Sequence, residues 1–136
     1  MIRDITPNDI PWVMSLASER YKNGWDAGTS LVALTQVMRT PTAGAWRTDH
    51  AFLLVNCVSS AWYPKRVCCE VLALCDEEGH HWDAIKLLRH SIEWAKERGC
   101  ANWSVRSDTH NELGALALRV GAQPAPNYMI LWEPPP

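Results

Sequence analysis

An α+β fold, α/β in the broad sense, follows from three features of this 136-residue chain. Val67 to Cys75 is a nearly unbroken apolar run, too short for an ordinary helix and flanked by Pro64-Lys65-Arg66 and Asp76-Glu77-Glu78-Gly79, as expected of a strand covered on both faces. From Trp82 onward the period changes: Ala84, Ile85, Leu88, Ile92 and Ala95 recur at helical spacing, with Lys86, Arg89, Glu93, Lys96 and Glu97 on the other side. Two helical segments precede a stretch rich in β-branched and aromatic residues. The predicted order is β-α-α-β-β-β-α-β-α-β within one domain, residues 1–136.

Each element has a local reason. Met1 to Ile5 alternates weakly and is a first strand. Thr6-Pro7-Asn8-Asp9 supplies a cap, a proline tolerated in a first helical turn and an acid three residues after the threonine, so a helix is predicted over about 7–21. Asn23-Gly24 breaks it, and a second helix is predicted over about 29–39, ended by Thr40-Pro41. Turn signals at Thr48-Asp49-His50 and Tyr63-Pro64-Lys65 divide the next stretch into antiparallel strands near 44–48, 51–61 and 66–75. The central helix starts near residue 81 and stops at Gly99. A strand near 101–106 and a last helix follow, the helix opened by the capping box Thr109-x-x-Glu112 and stopped by Gly121; Tyr128 to Trp132 is a final strand.

Composition excludes several classes of function. With 47% hydrophobic and 21% charged residues the chain suits one soluble core, and a net charge of −2 without a basic cluster argues against nucleic acid. No stretch approaches a membrane span and the amino terminus is polar, so a cytoplasmic location is expected. The five cysteines contain no CxxC pair and lie mostly in apolar runs, as buried thiols do. No metal site is predicted: joining Cys75 to His80 and His81 needs convergence from adjacent loop positions, and no second ligand pair exists. Eight tryptophans against one phenylalanine suggest a binding face as well as packing, and a homodimer is one outlet for it.

The segment from Cys68 to Gly99 resembles motif A of the GCN5-related N-acetyltransferases (the GNAT superfamily), in which a strand leads through an [RQ]-x-x-G-x-[GA] loop into a helix. Gly79-His80-His81-Trp82-Asp83-Ala84 occupies the loop, and Ile92 to Gly99 looks like the end of the family's helix. The resemblance implies a GNAT-like fold, with a mixed, mostly antiparallel sheet of about six to seven strands and about four flanking helices. It also implies acetyl-CoA as cofactor, its diphosphate held by loop amides at the positive end of the helix. Only Ala84 satisfies the motif itself: Gly79 stands in place of Arg or Gln, and Trp82 in place of the central Gly, where an indole would obstruct the diphosphate or require a shifted loop. In length and in this erosion the chain looks similar to small phage-encoded members.

The same resemblance distributes roles. An amine must lose a proton before it attacks a thioester, and Glu70 sits where many family members carry a glutamate that serves as base; the alternative is an acid facing solvent or paired with Arg66 or Lys65. Leu72 and Leu74 correspond to positions whose backbone pairs with the pantetheine arm, and Asn111 lies one position from a helix-capping asparagine that contacts it. Ala117 occupies the place of the tyrosine that reprotonates the thiolate, leaving His110 and Tyr128 as distant substitutes. His80 and His81 are placed to contact phosphates, and Cys75 is a minor nucleophile candidate.

Two readings remain. In one, the chain transfers acetyl groups to an amine of a protein or small molecule. In the other, it has the fold without the chemistry and modulates a protein partner through an interface, in a host cytoplasm if the source is viral.

Overall fold

A computed structural model describes residues 1–20, 26–59, 67–105, 113–125 and 128–130, with the backbone alone for 124, 125 and 128–130. The strands are β1 (Arg3–Asp4), β2 (Ala43–Arg47), β3 (Ala51–Ser59), β4 (Val67–Asp76), β5 (Asn102–Val105), β6 (Gln123–Ala125) and β7 (Tyr128–Ile130). The helices are α1 (Ile10–Arg20), α2 (Ala27–Arg39), α3 (His81–Glu97) and α4 (Leu113–Arg119), with a 3-10 turn over Pro7–Asp9 leading into α1. Among the described residues one sheet runs in the order β1-β2-β3-β4-β5-β7-β6. All neighbours are antiparallel except β4 and β5, which are parallel and joined through α3. The α+β class and element order agree with expectation as far as Val105, and one strand departs from it.

That strand is β6, over Gln-Pro-Ala, where Pro124 argues against a strand. Its place at the end of the sheet order explains the tolerance, because an edge strand has one side on which a missing N–H breaks no ladder. The other strands follow β-branched and aromatic content, and β3 is buried from Ala51 through Val55. Helix α2 starts two residues earlier than its apolar pattern predicts, because Asp26 caps it by accepting from the N–H groups of Gly28 (2.9 Å) and Thr29 (3.2 Å).

Two apolar layers cover the sheet. On one face Ile85, Leu88 and Ile92 of α3 and Leu116 of α4 pack on Leu53, Val55, Cys69, Val71 and Trp103. On the other, Val13 and Leu16 of α1 and Leu34 of α2 pack on Phe52, Leu54 and Cys75. The α3 layer is keyed by polar contacts: Trp103 Nε1 donates to Ser91 Oγ at 2.9 Å, and Ser91 Oγ donates to the Leu88 carbonyl at 2.7 Å. At the sheet's rim the buried Asp9 accepts from Arg3 (2.8 Å twice), Arg47 (3.0 Å) and the Thr6 N–H (2.8 Å), tying the first turn to β2. The Arg3 hydrogen bonds above all hold the Asp9 carboxyl well below the usual carboxylate range, with Thr6 contributing.

No helix among the described residues is long and apolar enough to cross a membrane.

Candidate active site

The site is set by one extra residue in β4. Val55 lies opposite Val71, but Leu54 lies opposite Ala73, so Leu72 is a β-bulge with no partner on β3. The bulge flips the alternation: Cys69 and Val71 face α3, whereas Ala73 and Cys75 face α1 and α2. On its other side β4 pairs with β5 from Cys68 opposite Asn102 to Val71 opposite Val105, the last residue of that segment the structure describes. Of the two residues expected to offer backbone groups, Leu72 has its side chain 48% exposed, while Leu74 pairs with Leu53 and buries its side chain against α3.

Glu70 precedes the bulge and is partly buried. It stands opposite Asn56 of β3 and Ser104 of β5, and paired positions in a sheet share a face. Because Cys69 and Val71 face α3, this row faces the α1–α2 side. Thr42 Oγ1 extends the row by donating to Asn56 Oδ1 at 2.9 Å. The result is a band of polar side chains across an otherwise apolar sheet, with a carboxylate in its middle. Arg66 and Lys65, the alternative partners considered for Glu70, lie outside the described residues, as do His110 and Asn111.

The loop after β4 is built on its backbone. Gly79 has φ +83°, a left-handed conformation suited to glycine, with open space where a Cβ would stand. The His80 N–H closes a turn onto the Glu77 carbonyl at 3.0 Å, and the Glu77 N–H ties the loop to His50 of the β2–β3 turn at 2.8 Å. The first-turn N–H groups of His81 and Trp82 have no intrahelical carbonyl to donate to. Ala84 is fully buried, which lets α3 lie close on the sheet.

The loop side chains diverge. Asp83 accepts from Thr48 Oγ1 at 2.7 Å and so braces the β2–β3 turn. His80 stacks on His50 with ring centroids 3.7 Å apart, and His50 Nδ1 lies 2.9 Å from Glu77 Oε2. That hydrogen bond, helped by Trp12 Nε1, lowers the Glu77 carboxyl from its usual range. His81 Nδ1 lies 3.8 Å from Asp76, which also pairs with Arg20. Trp82 turns outward, 62% exposed, with the Arg119 guanidinium 5.2 Å from its ring.

Cys75, the candidate nucleophile, is fully enclosed in the α1–α2 layer, and Ala117, which stands in place of the family's tyrosine, is fully buried in the α3–α4 layer. Tyr128 lies on β7. The residues the sequence left unassigned are His50 and Thr48, whose only signal there was a turn.

No protein-family model and no curated protein matches the chain. Solved structures do. A transcriptional regulator from Bacillus halodurans superimposes with a TM-score of 0.77 at 14% identity, over 92% of this chain and 93% of that one. An aminoglycoside 6'-N-acetyltransferase from Acinetobacter haemolyticus gives 0.74 at 15% identity over 92% of both chains. A protein from Clostridium acetobutylicum, described as a predicted acetyltransferase with acetyl-CoA, gives 0.73 at 13% identity over 92% of this chain and 90% of that one. The chain has the fold of the GCN5-related N-acetyltransferases.

Proposed function

We propose that this chain is an acetyl-CoA-dependent N-acetyltransferase acting on an amine of a protein or small molecule. The observation that carries the reading is the bulge at Leu72 of β4, which leads into the loop with left-handed Gly79 and the start of α3. A bulged strand, followed after a short loop by a left-handed glycine and a helix start, suits a long cofactor that carries amides and a diphosphate. The similar acetyltransferase folds, one of them holding acetyl-CoA, support it.

The residues present fit that cofactor. Space is open at Gly79, Asp83 and Glu77 are engaged with Thr48 and His50, and of the other carboxylates lining the cavity beside Gly79 (Glu19, Asp76, Glu78), Asp76 pairs with Arg20. In this reading the backbone of Leu72 to Leu74 holds the pantetheine arm, and the backbone of Gly79 to Ala84 holds the diphosphate. When bound, the cofactor supplies an activated acetyl thioester. Glu70, directly or through a water, takes the proton the amine must lose to become a nucleophile, and the row of Asn56 and Ser104 positions the polar end of the substrate beside it. Buried Ala117 carries no proton to give, so α4 supplies no acid from that position.

The test is turnover, read as CoA released from acetyl-CoA against a panel of aminoglycosides, polyamines and peptide amino termini. Glu70→Gln should lower turnover roughly 100-fold or more with CoA binding retained. Turnover equal to wild type would remove Glu70 from the mechanism.

A further inference from the structure

We propose that His50, Glu77 and His80 form a binding site for one first-row divalent transition-metal ion, with zinc the ion the donor set fits best. One donor atom from each, two imidazole nitrogens and a carboxylate oxygen, lie within 4.8 Å of one another. His50 Nδ1 and Glu77 Oε2 are already 2.9 Å apart, and the His50 and His80 rings lie in contact, stacked with centroids 3.7 Å apart, so binding requires one ring to swing out of the stack. Zinc with nitrogen and oxygen ligands at about 2.0–2.2 Å needs donors about 3.3–3.5 Å apart, and turning one imidazole about its side-chain bonds is the rearrangement that would bring both ring nitrogens to that spacing. His50 and Glu77 side chains are 41% and 39% exposed, so an ion has access.

The frame is fixed before any ion arrives. The Glu77 N–H bonds to the His50 carbonyl at 2.8 Å. Thr48 Oγ1 accepts from the N–H groups of His50 and Ala51 while donating to Asp83, which locks the turn that carries His50. Trp12 Nε1, 3.4 Å from Glu77 Oε1, orients the carboxylate from behind, as outer-shell donors do for metal-binding carboxylates. Two imidazoles favour zinc, nickel, copper or iron over magnesium or calcium, and three protein donors leave a position open to solvent. The ion would clip the β2–β3 turn to the loop that opens α3. Acetyl transfer uses none of these three side chains, so this site stands independently of it.

Untagged, chelator-treated protein titrated with zinc chloride by calorimetry, and with cobalt chloride by visible absorption, tests the proposal. One ion per chain is expected. His50→Ala and His80→Ala should each weaken binding roughly tenfold or more, whereas His81→Ala, on the adjacent residue, should not. In the unsubstituted protein, zinc should shift the NMR ring signals of two of the five histidines, which keeps the test independent of how the variants fold. Absence of zinc binding at 100 μM (a concentration of about that order suffices for a three-donor site), or binding that survives both substitutions, would overturn it. So would an equal loss in His81→Ala.

Discussion

Val71 and Ala73 face opposite sides of the sheet because Leu72, between them, is an unpaired bulge residue. In a regular strand residues two apart share a face, so every side chain of β4 beyond the bulge sits one step out of phase with those before it. Removing Leu72 should separate the fold from the site. With residue 72 deleted, Val71 and Ala73 become neighbours on a regular ladder and keep the faces they have now. The variant should fold with a Tm within about 5 °C of the parent, a shift of roughly 1–2 kcal/mol. It should also lose at least roughly tenfold in CoA affinity, because the bulge that shapes the strand leading into the cofactor loop is gone. Thermal melts and calorimetry on the same preparation check both halves, and undiminished affinity would detach the bulge from cofactor binding.

Acid should destabilise the protein through Asp9. Its folded pKa is depressed, so its contribution is complete above the unfolded value of about 3.9 and is lost as pH falls through that value toward the folded one. Asp9→Asn should lower stability by about 3 kcal/mol at neutral pH, since the buried Arg47 loses its counter-charge, and should flatten the loss below about pH 4. Denaturant titrations at several pH values measure both effects. An unchanged acid limb in the variant would assign it to other carboxylates.

Ser91→Ala should cost about 1–3 kcal/mol, because it leaves the Trp103 N–H fully buried without an acceptor. The double variant Ser91→Ala/Trp103→Phe should cost less in total than Trp103→Phe alone plus Ser91→Ala alone, the mark of one shared hydrogen bond. Strict additivity would contradict that pairing.

Burial should silence most of the thiols. Burial first, then the Cys57 thiol 3.5 Å away, pushes Cys100 up to about 12, and burial pushes Cys69 up as well. Alkylation at pH 8 (a pH about four units below the Cys100 value) should label the partly exposed Cys57 and Cys68 and spare Cys69, Cys75 and Cys100 until denaturant is added. Peptide mapping decides, and labelling of Cys100 at the rate of Cys68 would be inconsistent with its enclosure.

Trp82→Gly tests the one place where the loop departs most from motif A. Since the indole is 62% exposed, with the Arg119 guanidinium over its ring, CoA affinity should change by no more than about threefold, well under 1 kcal/mol. A tenfold gain would mean that it occludes the cradle; a tenfold loss would mean that it stacks on the cofactor.

Helix α3 was legible because its apolar and charged residues separate cleanly, and Gly99 with φ +74° ends it where the pattern stops. Strand β4 was legible as a buried run, but its bulge was not: Val71-Leu72-Ala73-Leu74-Cys75 is apolar throughout and offers no alternation to break. Asp9 was readable as part of a cap, and its Thr6 N–H contact is that cap, whereas its bonds to Arg3 and Arg47 depend on β1 pairing with β2. Glu70 was visible only as an acid in an apolar run. Its neighbours Asn56 and Ser104 lie 14 positions before and 34 after it, and only the sheet register brings them together. His50 meets Glu77 and His80 for the same reason, through two turns distant in sequence.

The most direct test of the central claim is calorimetric titration of the purified chain with acetyl-CoA and with CoA. The account predicts saturable binding at micromolar affinity, about −8 kcal/mol, together with a rise in Tm when the cofactor is present. No detectable heat and an unchanged melting temperature would contradict it, and would point to a GNAT-fold protein that acts through an interface with a partner.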